Sequence, residues 1–494
     1  MKFKNRKKQD VKNMVIEVKN QQNHPNQVIQ PMSRLYNKIL LPLNKIPKQW
    51  LNIAPFLPEK PYPCLLPNGM PASPEIMKQI FPTECVKQAM SEEEFIDIPR
   101  EVREAYALSN RPTPLVRAFR LEKALGLDSD RIKIFYKAEY VSPTGSHKGN
   151  TAIAQAYYAK KDKIKGLTTE TGAGQWGSAL SMAGTMMGLD VKVFQVRASY
   201  YDKPGRRVLM NNFGADLVPS PSDQTEVGKV FYSENPNHPG SLGIAISEAI
   251  ELAMKTPDYK YSLGSVLDFV CLHQTVIGLE AKEQMEIAGE YPDVVIGCVG
   301  GGSNFSGIAF PFLKDKLLGI KSGTEFIGAE PAACPSITKG KYTWDFGDSA
   351  KIAPIAKMYT LGHSFIPPAV HAGGLRYHGA APLLSMLANH GLVTSEMYHQ
   401  TKAIKAGMLF SRTEGILPAV ETCHAIVSAI DKALEAKEEG KKCTILFNFS
   451  GHGYFDTHAY KALQENKLVD FEYPNDEIEA SLKNLPTVDE SKFM

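Results

Sequence analysis

One lysine in the sequence stands where an amine can become chemically reactive. Lys148 lies in the segment 142–150, between a strand-like apolar run at 132–137 and a helix-like run at 151–160. The proline and glycines of this segment favour a turn, which predicts that the helix begins near Ser146. Because the helix dipole disfavours a cation in the first turn, we expect the pKa of Lys148 to be lowered. A neutral amine can condense with an aldehyde to form a Schiff base; the ordinary alternative is a solvated lysine on an exposed helix.

A glycine-rich turn further along the chain favours the chemical interpretation of Lys148. It follows the apolar run 294–299 and reads Gly300, Gly301, Gly302, Ser303 and Asn304. The uncovered backbone N–H groups of such a turn form a neutral nest that suits a phosphate monoester. The turn lacks the lysine of a P-loop and the spacing of a dinucleotide-binding motif, which argues against nucleoside triphosphate hydrolysis. A Schiff-base lysine together with a phosphate nest predicts pyridoxal phosphate (PLP) as the cofactor.

Glu170 is the candidate acid or base of the site. It follows the apolar run 167–169, at the strand end where ligands bind in open α/β sheets. A carboxylate in a dry cleft can have a raised pKa and transfer a proton. An acid that simply favours a helix start is the equally weighted alternative. The residues after Glu170 leave backbone N–H groups uncovered for a carboxylate ligand; they are Thr171, Gly172, Ala173, Gly174 and Gln175.

Ser450 follows the last apolar run, 444–449, and has two candidate roles. Its hydroxyl can cap a helix, which is the commoner role of such a serine, or it can face the pyridine nitrogen of PLP. A neutral hydroxyl there leaves the ring a weaker electron sink than a carboxylate would. The weaker sink favours β-elimination and replacement over transamination.

Composition and charge exclude several classes of protein. The 494 residues are 43% hydrophobic and 22% charged with a net charge of +3, which is typical of a globular protein and no argument for nucleic acid binding. The seven cysteines are scattered without a C-x-x-C pair, which argues against a metal site or disulfides and favours a reducing, cytoplasmic compartment. No apolar run reaches transmembrane length. The basic N-terminus lacks the apolar core of a secretory signal, and a disordered tail is favoured over an organelle transit peptide.

Short apolar runs alternate with helical runs from residue 111 onwards. The predicted strands are 132–137, 167–169, 191–196, 216–218, 294–299, 326–329 and 444–449. The main predicted helices are 173–187, 203–213, 265–288, 303–317 and 418–436. This alternation predicts an α/β fold with two open, mostly parallel sheets flanked by helices.

We expect five segments along the chain. They are a disordered basic tail at 1–30, an N-terminal arm and helix at 31–110, an α/β domain at 111–265 whose early part crosses to the other domain, a second α/β domain at 266–475, and a tail at 476–494. The proline-dense stretch 44–82 predicts an extended arm that packs on the surface. The stretch 91–110 predicts one helix, opened by a capping box of Ser91 and Glu94.

Taken together, these motifs resemble the tryptophan synthase β chain. The resemblance covers roughly residues 45–470 and is carried by the segments 111–115, 145–148, 170–175, 300–304, 414–416 and 450–451. It is closest to the second, β-like branch of the family, whose members have a long N-terminal arm. The resemblance implies a fold type II PLP enzyme, a carbon–oxygen lyase that converts L-serine and indole into L-tryptophan and water.

The resemblance also implies a role for each candidate residue. Lys148 would bind PLP and take the Cα proton of serine, and Glu170 would assist departure of the hydroxyl and meet the indole N–H. Residues 171–175 would hold the amino acid carboxylate, His147 and residues 300–304 the cofactor phosphate, and Ser450 the pyridine nitrogen. Glu414 would lie beside the ring, unless it is a helix-start acid. The family also implies a homodimer and a monovalent cation held by backbone carbonyls.

Two departures from the family pattern concern the partner subunit. Trp176 stands where the β chain usually has histidine, and Arg376 stands in a loop that usually reads Gly-Leu-Asp-Tyr. Both changes indicate that an α subunit binds weakly or not at all. The alternatives to tryptophan synthesis are another PLP-dependent β-eliminase, such as a serine deaminase, or a non-catalytic regulatory protein with the same fold.

Overall fold

The computed structural model describes residues 37–368 and 370–492, so the predicted tail at 1–30 lies outside the described residues. The strands are β1 Lys38–Ile39, β2 Gln49–Leu51, β3 Phe95–Asp97, β4 Leu115–Arg117, β5 Ile132–Ala138, β6 Gly166–Thr171, β7 Asp190–Val196, β8 Asp216–Ser220, β9 Tyr259–Tyr261, β10 Val294–Cys298, β11 Glu325–Pro331, β12 Lys341–Phe346, β13 Ile355–Thr360, β14 Thr394–Tyr398 and β15 Cys443–Phe449. All seven predicted strands are confirmed to within two residues.

Helices follow most of the parallel strands. The α-helices are Pro74–Ile80, Thr83–Ala89, Arg100–Leu108, Phe119–Ala124, Gly149–Lys161, Gln175–Met187, Arg197–Asp202, Pro204–Asn212, Glu226–Glu234, Leu242–Lys255, Asp268–Gln274, Val276–Ile287, Ser303–Leu317, Pro382–Asn389, Gln400–Glu414, Val420–Glu438, Thr457–Gln464 and Asn475–Ser481. Within the described residues, none of them is long and apolar enough to cross a membrane.

The larger sheet brings three of the predicted site turns together. Its strand order among the described residues is β1-β4-β5-β15-β10-β11-β14, with β5 to β14 parallel and β1 and β4 antiparallel at one edge. β10 and β15 are buried at every position, as expected for strands covered by helices on both faces. Since β5, β15 and β10 are parallel neighbours, the turns that follow them lie side by side at one edge of the sheet.

The smaller sheet carries the acidic motif. Its order is β8-β7-β6-β9, and all of its pairings are parallel. Glu170 is the fifth residue of β6 and pairs with Phe194 in the neighbouring strand. The two sheets with flanking helices confirm the predicted α/β class.

The sheets and the predicted domain boundaries divide the chain in different ways. β4 and β5 belong to the larger sheet although they precede β6 to β9 in the chain. From Lys38 onwards the chain forms one compact unit. The division at 265/266 therefore stays a prediction.

The prediction of a single helix over 91–110 is wrong. Phe95–Asp97 is strand β3, which pairs with β2, and the helix begins only at Arg100. Pro99 sits immediately before that helix, because proline lacks the N–H that a helix interior needs and its ring clashes with the preceding turn. Ser91 makes a local turn instead of a capping box, its Oγ accepting from Glu93 N at 3.1 Å.

The proline-dense arm is partly regular and is firmly packed. It contains β2 and the helix Pro74–Ile80, so the expectation of a wholly extended arm is wrong. Trp50 is fully buried with its ring centroid 4.5 Å from that of His273, and Leu51 N donates to Thr275 Oγ1 at 3.0 Å. Burying a large apolar side chain contributes about 2–3 kcal/mol, which fixes the arm to the core.

The predicted helix 265–288 is two helices. Val266 has a positive φ of 70°, so the first helix begins later, at Asp268, and the second begins at Val276 after Thr275. A β-branched residue is rarely found at positive φ, and here it lies beside the glycine turn at 300–302. The sequence pattern of the run showed its apolar face but not this break.

Candidate active site

Lys148 is the N-cap residue of the helix Gly149–Lys161. The sequence predicted it in the first turn of this helix, and it lies one position before that turn. It is partly buried, and its Nζ donates to Gly264 O at 3.5 Å. Burial lowers the pKa of Lys148, and the carboxylates of Glu421 and Glu170 oppose that shift. The predicted lowering is confirmed in direction, but burial is its main cause.

A buried ionic network holds the segment that carries Lys148. Arg111 donates to Glu139 at 2.9 Å and forms a two-bond pair with Glu280, and Lys137 donates to the same Glu280 at 2.7 Å. Asn150, two residues after the lysine, accepts from Arg111 at 2.8 Å. Two cations thus face two carboxylates in a dry interior, and the start of the helix is tied to them.

His147 links the lysine turn to the turn after β15. Its backbone N donates to Ser450 O at 2.9 Å, and its Nδ1 lies 3.2 Å from the same oxygen. Because a carbonyl only accepts, Nδ1 carries the proton and Nε2 is an acceptor, which is buried without a partner among the described residues. Burial lowers the pKa of His147 to about 3, so the ring is neutral.

Glycine is required at positions 300–302 because a Cβ there would lie too close to neighbouring atoms. A Cβ on Gly300 would lie 2.7 Å from Gly374 O, and one on Gly301 would lie 2.6 Å from Ser265 Oγ. Gly302 has a φ of 100° and caps the helix Ser303–Leu317, whose first N–H groups have no partner within the helix. This is the geometry of an anion nest.

Two polar side chains of this turn are already engaged within the protein. Asn304 donates from Nδ2 to Cys298 O at 3.0 Å and accepts from Asn448 Nδ2 at 2.7 Å. Ser303 Oγ donates to Gly264 O at 3.3 Å. The structure therefore brings both residues to the nest, where their backbone N–H groups can serve an anion.

Ser450 lies at the end of β15, between the lysine turn and the glycine turn. It is 4% exposed, and its Oγ lies 2.7 Å from Thr422 Oγ1 and 3.6 Å from Cys298 Sγ. No helix begins at this serine, since the next one starts at Thr457. The capping alternative is therefore wrong, and the hydroxyl is a neutral group inside the site.

Glu170 is 2% exposed and makes one strong side-chain hydrogen bond. Tyr261 Oη donates to Glu170 Oε2 at 2.5 Å. Burial raises the pKa of Glu170 to about 8, while the bond from Tyr261 and the charge of Lys148 act in the opposite direction. A carboxyl with this pKa is mostly protonated at neutral pH and can donate a proton, which a helix-start acid would not do.

The residues after Glu170 form a second nest. Thr171 Oγ1 accepts from Gly177 N at 3.1 Å, and Gly174, with a φ of 93°, caps the helix Gln175–Met187. Gln175 Nε2 donates to Glu421 Oε2 at 3.0 Å. Gly172 and Ala173 complete the turn, and a Cβ on Gly172 would lie 3.0 Å from Gly373 O. The backbone N–H groups at this helix start are the ones available to a carboxylate.

The structure does not bring Glu414 to the other candidate groups, and sequence reasoning missed Glu421. Glu414 ends a helix rather than starting one, and its Oε1 accepts from Leu121 N at 2.8 Å. Gly415, with a φ of 77°, turns the chain, and Glu421 in the next helix reaches the site. Glu421 accepts from Gly374 N at 2.8 Å as well as from Gln175. An acid in the first turn after Pro418 was the available signal.

The two departures from the family pattern have different surroundings. Trp176 donates from Nε1 to Thr169 Oγ1 at 2.6 Å, and its ring lies against Gly264, whose carbonyl also meets Lys148. It therefore forms a wall of the site. Arg376 is partly buried beside the segment 373–375, and burial lowers its pKa while Glu421 and Asp202 oppose the shift.

The chemistry of these groups fits PLP. An amine with a lowered pKa, an anion nest, a neutral hydroxyl and a buried ring nitrogen of His147 meet at one edge of the larger sheet. The carboxyl of Glu170 faces them from the smaller sheet. Within the described residues, no group of three or more His, Cys, Asp or Glu side chains could hold a metal ion.

Comparison with known proteins identifies the class of enzyme. Residues 106–451 match the family model of pyridoxal-phosphate dependent enzymes. The fold is similar to threonine deaminase isoform 2 of Solanum lycopersicum (TM-score 0.53, 18% identity, 72% of this chain and 87% of that one). It is also similar to O-acetyl serine sulfhydrylase isoform 3 of Entamoeba histolytica (TM-score 0.52, 19% identity, 78% and 98%). The chain belongs to the pyridoxal-phosphate-dependent enzymes.

Sequence relatives identify the family within this class of enzymes. The chain is 57% identical over 436 residues to the tryptophan synthase β chain of Thermococcus onnurineus, covering 88% of this chain and 97% of the relative. The same identity and length hold for the tryptophan synthase β chain 2 of Pyrococcus furiosus (97% of the relative) and of Aquifex aeolicus (100%). Within that class, the chain belongs to the tryptophan synthase β chain family, as the sequence motifs predicted.

Proposed function

We propose that this chain catalyses a β-replacement in which L-serine and indole give L-tryptophan and water. One observation carries the proposal beyond the family match. Lys148 has a lowered pKa and Glu170 a raised one, and the two side chains interact electrostatically across the site. An amine with a lowered pKa and a carboxyl with a raised pKa are the base and the acid that such a reaction needs.

Lys148 is the group that binds the cofactor and moves the first proton. PLP, when bound, supplies the electron sink that makes the Cα proton of an amino acid acidic. The lowered pKa of Lys148 keeps its Nζ available as a base for that proton. Ser450 supports this assignment, since a neutral hydroxyl moderates the electron sink and favours replacement chemistry.

Glu170 is the acid for the departing hydroxyl. With a pKa of about 8, its carboxyl holds a proton at neutral pH and can give it to the serine oxygen, which leaves as water. The carboxylate that remains can accept a hydrogen bond from the indole N–H while indole C3 attacks the β-carbon. One residue thus serves both halves of the reaction.

Residues 171–175 hold the amino acid carboxylate, with backbone N–H groups at the start of the helix Gln175–Met187. Glu421 supports them from behind, because it accepts from the Gln175 side chain and from Gly374 N in the segment that covers the site. A carboxylate that ties these two segments together orients the substrate and helps to exclude water.

The family and the cysteines support a proposal for the partners and the compartment. We infer a homodimer, with an α subunit bound weakly or not at all and a monovalent cation as an additional ligand. All seven cysteines are free, and six of them are buried, which supports a reducing, cytoplasmic location.

A steady-state assay with serine, with and without indole, tests the proposed function. Wild-type protein loaded with PLP should form tryptophan only when indole is present. Lys148→Ala should lose turnover and the visible absorption of bound PLP together, because the amine that binds the cofactor is gone. Lys160→Ala, which removes an exposed lysine of the same helix, is the matched control and should keep both. Pyruvate without tryptophan would assign serine deamination instead.

A further inference from the structure

The hydroxyl of Tyr261 is the one side-chain donor that the described residues offer to Glu170. Tyr261 is the last residue of β9, pairs in register with Thr168 of β6, and is 1% exposed. Tyr261 Oη lies 2.5 Å from Glu170 Oε2, within hydrogen-bond distance. The sheet sets the position of Tyr261 in the site, because Tyr261 and Glu170 lie on adjacent parallel strands.

The ring of Tyr261 is braced by the N-terminal arm. Phe81, which is 3% exposed, has its ring centroid 5.7 Å from that of Tyr261 and 5.8 Å from that of Phe269. The residue before the tyrosine is tied to the same arm, since Lys260 Nζ donates to Phe81 O at 3.1 Å and to Asp162 Oδ2 at 3.1 Å. The phenol therefore has little freedom to move away from the carboxyl.

The donor character of Tyr261 is permanent. Burial and the neighbouring carboxyl of Glu170 raise its pKa well above the ordinary value, so the phenol keeps its proton. When Glu170 is the acid, its Oε2 accepts from Tyr261, and the transferable proton is therefore carried on Oε1. The other titratable groups that face this pair are Lys148, Tyr377 and Asp348.

We propose that Tyr261, braced by Phe81 of the N-terminal arm, is a positioning residue that presents the Oε1 proton of Glu170 to the substrate. The inference rests on the proposed function, because it deepens the role given there to Glu170. The inference gives the N-terminal arm a role in catalysis. Phe81 of the arm, more than 60 residues before Lys148, holds the ring of Tyr261, which orients Glu170. If the hydrogen bond from Tyr261 to Glu170 only stabilised the sheet, its loss would not change the dependence of kcat on pH.

Tyr261→Phe tests the proposal, since it keeps the ring and removes only the hydroxyl. Compared with wild type in the presence of PLP, serine and indole, kcat for coupling should fall about 10- to 100-fold, the effect of one lost bond to an ionisable group. The pKa in the kcat–pH profile should rise by about one unit, because the lost donor had favoured the carboxylate. The absorption of bound PLP should be unchanged. Tyr259→Phe removes an O–H from the same strand, bonded to Asp190, and should leave kcat and the profile as in wild type.

The outcomes separate this inference from the proposed function. Wild type that makes no tryptophan overturns both. Wild type that makes tryptophan while Tyr261→Phe keeps its kcat and pH profile overturns the role of Tyr261 alone. If Tyr261→Phe does not fold, Phe81→Leu decides: it leaves the hydroxyl but loosens its brace, and should lower coupling about 2- to 10-fold with the pKa shifted in the same direction. An unchanged profile in Phe81→Leu would then refute the inference.

Discussion

Replacing Glu170 by glutamine tests the titration on which the proposed chemistry depends. Glutamine has nearly the same shape and its Oε1 can still accept from Tyr261, but it cannot carry or release a proton. Coupling of indole should fall about 10²- to 10⁴-fold, which is the usual contribution of an acid–base group. PLP absorption should persist, because Lys148 is intact.

The same substitution has a predictable effect on stability that does not involve substrate. The pKa of Glu170 is about 8 in the folded chain, against an ordinary value of 4.5. Between these pH values the folded chain holds a proton that the unfolded chain has lost, so the wild type loses about 1.4 kcal/mol of unfolding free energy for each pH unit gained. Above pH 8 both states are ionised and the loss stops. Glutamine does not titrate, so the variant lacks this dependence.

Denaturant unfolding of wild type and Glu170→Gln at several pH values between about 5 and 9 measures the effect. The advantage of the variant should grow by about 1.4 kcal/mol per pH unit up to pH 8 and then become constant. Other buried acids titrate in both proteins and cancel in the difference. Glu101→Gln is the matched control, because it makes the same substitution at an exposed glutamate. A flat difference for Glu170→Gln would refute the raised pKa and, with it, the role of Glu170 as a proton donor at neutral pH.

Two further predictions concern the support of the site. Glu421→Gln should raise the KM for serine about tenfold, because one of the two donors that face Glu421 would then meet an amide NH₂. Glu414→Gln is the control and should leave the KM unchanged. Equal effects of the two substitutions would contradict the placement of these acids. Arg111→Met should lower the free energy of unfolding by about 3–5 kcal/mol, since it leaves two buried carboxylates short of a cation. The exposed Arg100→Met should change it far less, and a comparable loss there would show that burial is not the cause.

Local rules identified the groups that carry the chemistry. The strands were readable because buried parallel strands are nearly continuous apolar runs, and the residues that follow them are where ligands bind. Lys148, the glycines at 300–302, Glu170 and Ser450 each come directly after such a run or open a helix. Their residue types alone indicated an amine, an anion nest, an acid and a neutral hydroxyl.

Sequence patterns gave wrong predictions where a residue far away in the chain determines the local structure. Phe95–Asp97 lies in a stretch with a helix-start pattern but is a strand, because β2 of the arm pairs with it. Glu414 and Glu421 are both acids near a helix end, and only the turn at Gly415 and the packing of the next helix bring Glu421, not Glu414, to the site.

The residues that could bind PLP, hold a phosphate and transfer a proton were recognisable without coordinates, because these properties depend on side-chain chemistry and on turns a few residues long. The packed fold established which turns are neighbours, since the order β5-β15-β10 joins strands that are far apart in the chain. It also decided the size of the pKa shifts. Burial is the main cause of the shifts at Lys148 and Glu170, and burial exists only after the two sheets and the arm have packed.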